Sequence, residues 1–154
     1  MVTSEAQLRT IADYQFGRGA GDALFPADRE RTIRRSSSGR PRQVLQDGHR
    51  LVTLGTDGRF TLGLAGGRAL GRALEPPAAR VVVGDESEPF VREEKNVFAK
   101  FVQSVDPQVR AGDEVLVEHE RGDLIAVGRA ELDAAAMRDF ETGMAVMVRE
   151  GAKR

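Results

Sequence analysis

The sequence predicts an α+β fold: a small unit with one helix on an antiparallel meander, followed by a compact, largely β barrel. Three features carry this reading. The chain opens on a capped helical pattern and runs into alternating strands separated by Asp-Gly turns. Glu75-Pro76-Pro77 interrupts it near the middle, and the charge balance changes sign across that break. Beyond it come several short β-branched stretches separated by turns, with room for one or two short helices.

The opening helix is marked by Ser4 as cap, Gln7 three residues later, and Leu8, Ile11 and Ala12 at helical spacing. Gly17, Gly19 and Gly21 end it, because three glycines in five residues give up too much backbone entropy for a helix to continue. Residues 22–26 form a turn or a second helical stub, and residues 32–37 a polar edge strand. Residues 43–46, the Asp47-Gly48 turn and residues 49–54 make a hairpin, since Asp-Gly tolerates the positive φ of a two-residue loop. Asp57-Gly58 repeats the device ahead of a strand in which Phe60, Leu62 and Leu64 alternate onto one face. Residues 66–74 form a short helix before the proline break, placing the domain boundary between 1–78 and 79–154.

In the second unit, Arg80-Val81-Val82-Val83 is a strand. Residues 85–100 are expected to be helical in pieces, interrupted by Pro89, and residues 101–105 are extended. Strands follow over 114–118 and 124–130, with His119 in the polar turn between them. Asp133 caps a short helix running towards Phe140, Gly143 ends it, and residues 144–148 close the unit as a strand.

Composition narrows the functional classes. At 40% hydrophobic the chain is too apolar for disorder, and 17 glycines with 5% aromatics imply many turns around a core of Val, Leu, Ile and Ala. The absence of cysteine removes disulfides, thiolate nucleophiles and thiolate metal sites, and fits a reducing cytoplasm. No leader pattern is seen, and no apolar run approaches the roughly 18 residues of a membrane span. The net charge of −1 hides an asymmetry: 12 arginines against 8 acidic residues over 1–78, then 11 basic against 16 acidic over 79–154. Seven arginines lie between Arg29 and Arg50, and their planar forks suit phosphate oxygens. The glycines of 17–21 follow no strand and lack a Gly-Lys-Ser/Thr ending, so they are not a nucleotide loop. His49 and His119 form no metal-binding pair at helical spacing. No catalytic residue, metal ligand or cofactor site is expected.

The second half resembles the PUA domain, the RNA-binding module named for pseudouridine synthases and archaeosine transglycosylases. The residues that carry the resemblance are, in order, Val81-Val82-Val83, Asn96 to Val102, Gly112 to Val115, Ala126 to Ala130 and Gly143 to Arg149. In the first half, Ile11 to Gly17, Ser38 to Arg42 and the following hairpin are similar to the small α+β domain that precedes the PUA domain in archaeal tRNA-guanine transglycosylases and archaeosine synthases. The resemblance therefore implies an α+β domain and a PUA-type pseudo-barrel, without the catalytic (β/α)₈ barrel, which takes about 200 residues or more.

What it implies about function is RNA binding, tRNA above all, in the context of archaeosine modification and alongside a separately encoded catalytic subunit. The expected contacts are Arg34, Arg35, Arg40 and Arg42 around the Ser36-Ser37-Ser38-Gly39 loop, then Lys95, Asn96, Lys100, Arg129 and Arg149. The loop is expected to be flexible, with its N–H groups and hydroxyls joining the arginines on phosphate. Asn96 would take sugar or phosphate, while Val97, Phe98 and Phe101 belong to the core. One departure opposes RNA: where the family normally has glycine ahead of Lys-Asn-Val-Phe, this chain has Glu94 next to Glu93, and a carboxylate there repels phosphate. A protein-interaction module that has lost most RNA affinity, or a ribosome-associated factor, are the alternatives. With one tyrosine and no tryptophan, recognition of a folded RNA by shape is favoured over stacking of single-stranded bases.

Overall fold

A computed structural model describes residues 4–154. The chain forms two compact units dividing between Leu74 and Glu75, at the start of the proline break.

In the first unit α1 spans Glu5–Phe16, and its start is a reciprocal capping box. The Gln7 N–H donates to Ser4 Oγ at 3.3 Å, and the Ser4 N–H donates to Gln7 Oε1 at 3.1 Å. α2, Ala20–Leu24, packs against α1: Asp13 Oδ1 accepts the Gly21 N–H at 2.7 Å. A Cβ at Gly21 would strike the Arg9 backbone, so glycine is required there. β1 (Thr32–Arg35), β2 (Pro41–Gln46), β3 (His49–Leu54) and β4 (Phe60–Leu62) form an antiparallel meander in that order, and α3 follows over Leu64–Ala73.

Asp47 and Gly48 take φ 54° and 78°, the left-handed pair that a tight hairpin needs. Leu8, Leu24, Phe25, Val52, Phe60, Leu62 and Leu70 are buried, with Phe25 and Phe60 edge to face at 5.8 Å. Each buried ring contributes about 2–3 kcal/mol. The strand expected to run on to Leu64 stops at Leu62. Leu64 begins α3 because that helix lies directly on β3, where Gly66 sits against the Leu51 carbonyl with no space for a Cβ.

The second unit contains β5 (Arg80–Val83), α4 (Glu88–Arg92), β6 (Val97–Phe98), a 3₁₀ turn (Ala99–Phe101), β7 (Val102–Val105), β8 (Glu114–His119), β9 (Leu124–Ala130), α5 (Ala134–Asp139) and β10 (Met144–Gly151). The sheet order is β6-β10-β9-β8-β5-β7. The β5–β8 pair is parallel and every other pairing is antiparallel. The two outermost strands, β6 and β7, are joined in sequence by the single 3₁₀ turn, so covalent chain nearly closes the sheet into a pseudo-barrel. The interior is mostly Val and Ala with Ile125 and Met137.

Pro89 does not interrupt a helix. It sits in the first turn of α4, where a missing N–H costs nothing. The helical pieces expected over 85–100 are α4 and the 3₁₀ turn, and β6 separates them because Val97 is needed opposite Val146 in the barrel wall. His119, expected in a polar turn, is the last residue of β8 and is 2% exposed.

Candidate nucleic-acid interface

In the first unit, the seven arginines between Arg29 and Arg50 separate into two groups. Arg31 is buried: its guanidinium meets Glu5 at 2.8 and 3.2 Å and donates to the Pro26 and Arg29 carbonyls. The hydrogen bonds from Arg31 hold the Glu5 carboxyl below its usual range, against the opposing effect of burial. Arg40, one of the expected contacts, is half-buried and donates to the Gly55 carbonyl of the β3–β4 turn. Arg50 donates to Thr53 Oγ1 and to the carbonyls of Thr61 and Leu62. Arg29 pairs with Asp47 at 3.2 Å.

Exposed cations therefore remain at Arg34, Arg35 and Arg42, on edge strand β1 and its neighbour β2. The Arg35 side chain donates to the Gly39 carbonyl at 3.0 Å, whereas the side chains of Arg34 and Arg42 make no hydrogen bond or ion pair among the described residues. The serine loop is internally tied. The Ser36 N–H donates to the Arg40 carbonyl, the Gly39 N–H donates to the Ser36 carbonyl, and the Ser36 and Ser38 hydroxyls lie 3.0 Å apart. Those N–H groups are occupied and do not supply a phosphate nest.

In the second unit, Lys95, Lys100 and Arg129 are exposed. Lys100 Nζ lies 5.0 Å from the centre of the Phe101 ring, and Arg129 pairs with Glu131 at 3.1 Å. Asn96 and Arg149 are half-buried, and their side chains are engaged by the fold. Asn96 Oδ1 accepts the Val148 N–H at 3.0 Å, and Arg149 grips the buried carboxylate of Glu114 through two 2.7 Å contacts.

Glu94 takes φ 71°, the left-handed conformation that glycine adopts without penalty. Its Oε2 accepts the Gly151 N–H at 3.1 Å, and its Oε1 lies 3.5 Å from Lys153 Nζ. Arg92, Glu94 and Asn96 form a pattern. β6 pairs with β10 only around Met144 and Val146. Beyond it, Asn96 serves Val148, Glu94 serves Gly151, and Arg92 donates to the Ala152 carbonyl at 3.0 Å. Alternate side chains of residues 92–96 thus stand in for the strand that this edge of β10 lacks.

Phe98, expected in the core, is 48% exposed because β6 is a two-residue edge strand whose other residue, Val97, faces inward. With Phe90 (62% exposed) and Phe101 it lines a cavity of about 360 Å³, together with Glu86, Ser87, Val91, Lys95 and Asn96. Phe90 and Phe98 thus leave exposed aromatic surface that the count of tyrosine and tryptophan did not indicate.

Asp85 in the turn before α4, Glu88 on α4 and His119 on β8 bring ligand-type atoms within 4.8 Å of one another. The Arg121 backbone N–H donates to His119 Nδ1, and Nε2 lies 2.6 Å from Asp85 Oδ1 and 3.2 Å from Arg121 Nη1. Hydrogen bonds from Arg121 and then Arg92 hold the Glu88 carboxyl down at about 2. Three guanidiniums on Glu88, those of Arg92, Arg121 and Arg154, oppose a further cation, so the chemistry of this cluster is that of an ion-pair network. Nothing local in the sequence marks it, since its members Asp85 and Arg121 lie 36 residues apart in number.

Residues 6–77 match the patch-forming domain C2 of tRNA-guanine transglycosylase, and residues 79–152 match the PUA domain. The chain is a C2 domain followed by a PUA domain. It is similar to the tRNA-guanine(15) transglycosylase of Pyrococcus furiosus, 45% identical over 145 residues, and to that of Methanobrevibacter smithii, 43% identical over 150 residues. These alignments cover 94% and 96% of the C2–PUA chain but 24% and 22% of the relatives, so it spans about a quarter of their length. The matched region lies outside their catalytic barrel. A hypothetical protein of Pyrococcus horikoshii OT3 shares the fold at TM-score 0.75 and 19% identity, covering 98% of this chain and 93% of that one. A conserved PUA domain protein from Thermoplasma acidophilum does so at 0.67 and 21%, covering 96% and 90%. No helix among the described residues is long and apolar enough to cross a membrane.

Proposed function

We propose that this C2–PUA chain is a non-catalytic RNA-binding protein of the cytoplasm whose ligand is tRNA, and that it serves a separately encoded tRNA-modifying subunit such as one of archaeosine formation. The observation that carries this reading is the exposed Lys95 and Lys100 beside the phenylalanine-lined cavity of the PUA domain. The likeness to tRNA-guanine(15) transglycosylases, enzymes named for acting on tRNA, supports the choice of ligand. Arg34, Arg35 and Arg42 supply a further set of exposed cations on the C2 domain. Such contacts position a phosphate backbone and carry no base information by themselves. Arg40, Asn96 and Arg149 contribute by holding the frame.

The test is fluorescence anisotropy of folded tRNA titrated with the full chain across a salt series. Binding that weakens with salt is expected, and an Arg34→Glu/Arg42→Glu variant should lower the log–log slope by about two, near 0.9 per lost phosphate contact. No binding at low salt, together with a protein partner that survives nuclease in a pull-down, would replace this reading with that of an assembly module.

A further inference from the structure

The contact made by Glu94 differs in kind from its neighbours. Asn96 completes the edge of β10 with a neutral amide, and Arg92 does so from an 11% exposed position where Glu88 also holds it. Glu94 meets Gly151 with a full negative charge, from a left-handed backbone conformation that costs a non-glycine residue about 1 kcal/mol. What its carboxylate finds there is a backbone N–H at 3.1 Å and an ammonium at 3.5 Å. That is a donor set for an oxyanion; Lys153 and Glu94 are 57% and 36% exposed, so solvent reaches the ammonium, while Gly151 itself is buried and its N–H is covered by Glu94. Asn96 shows that a neutral side chain is enough to cap this edge; what the Glu94 carboxylate adds to the cap is its ion pair with Lys153.

We propose that the Gly151 N–H and Lys153 form a phosphate-oxygen site for a bound RNA chain, and that the Glu94 carboxylate occupies it as an internal stand-in. This rests on the RNA-binding reading above. The tethered carboxylate competes with a backbone phosphate for the same two donors and adds a repelling charge beside it. Affinity in this PUA domain is thereby set by how readily Glu94 swings away, and replacing Glu94 opens the site. Lys95, exposed and next in sequence, is the nearest further cation along the chain.

The experiment compares tRNA binding by the wild-type chain with Glu94→Gln, which keeps the shape and removes the charge, and Glu94→Gly, which removes the stand-in and relieves φ. Glu93→Gln controls for charge alone, since Glu93 is exposed and its side chain has no partner among the described residues. Thermal melts confirm that each variant is folded. Glu94→Gly is expected to bind roughly tenfold tighter at low salt, with a log–log salt slope steeper by about one. Lys153→Ala should then weaken binding more in the Glu94→Gly background than in the wild type. Following the Gly151 amide by NMR with inorganic phosphate and with tRNA separates a free anion from an RNA phosphate. A shift produced by inorganic phosphate alone overturns the assignment to RNA.

Wild-type binding with an affinity and slope that the Glu94 changes leave alone, or move no more than Glu93→Gln does, overturns the inference and leaves the RNA-binding reading intact. Failure of the wild type and of both Glu94 variants to bind overturns the two together.

Discussion

Replacing Arg149 by alanine should destabilise the PUA domain because of what it leaves behind. Arg149 lies on β10 and reaches Glu114, at the start of β8, with Nη1 and Nη2 each 2.7 Å from one carboxylate oxygen. The Glu114 side chain is 4% exposed, so water cannot replace a lost guanidinium. Breaking a buried pair by removing one partner typically costs about 3–5 kcal/mol. Because the Arg149 side chain is itself 30% exposed, solvent screening lowers that range to about 2–4 kcal/mol. For a unit of this size each kcal/mol moves the melting midpoint by about 4–8 °C, so a fall of roughly 8–32 °C is expected.

Urea unfolding at neutral pH measures the difference directly. A double variant, Arg149→Met/Glu114→Leu, removes both charges at similar volume and should recover most of the loss. A cost below about 1 kcal/mol for Arg149→Ala would refute the assignment of Arg149 to the frame. So would a folded double variant that has lost tRNA affinity, since Arg149 would then be shown to act on RNA directly.

Three further outcomes follow from the same geometry. Asn96→Ala should cost about 1–2 kcal/mol and speed hydrogen exchange at the Val148 amide, which it leaves without its acceptor. Phe98→Ala should change stability by less than about 1 kcal/mol, against about 3–5 for a core phenylalanine, as read by urea midpoints. Glu88 is depressed to about 2 from its ordinary 4.5, so the stability it contributes is present above about 4.5 and lost as pH falls towards 2. The gap in unfolding midpoint between wild type and Glu88→Gln should therefore close across that window. A gap that stays constant from pH 7 to about 2.5 would show that the Arg121 and Arg92 contacts do not set it.

The contrast between Arg34 and Arg40 shows where a sequence stops being informative about a site. Both stand in the same basic stretch beside the same serine loop, and their local chemistry is identical. Arg34 is left exposed on an edge strand, while Arg40 is drawn to the Gly55 carbonyl, fifteen residues away and across the meander. Asn96 and Arg149 divide from Lys95 and Lys100 for the same reason. Their partners, Val148 and Glu114, lie 52 and 35 residues off in the chain.

By itself the sequence determined what depends on local chemistry. Ser4 and Gln7 set the start of α1, Asp47-Gly48 and Asp57-Gly58 set the turns, Asp133 caps α5, and β-branched runs such as Val81-Val83 set the strands. The order of these elements, together with the motifs they carry, was enough to recognise an α+β domain followed by a PUA pseudo-barrel. The tertiary structure alone decided which charges stay available, because pairing is a matter of distant neighbours brought within 3 Å. It also decided sidedness in the barrel wall, where a two-residue strand turns Val97 inward and Phe98 outward. And it gave Glu94 its meaning: the φ of 71° and the N–H it reaches on Gly151 exist only once β10 has folded back against the loop that follows α4.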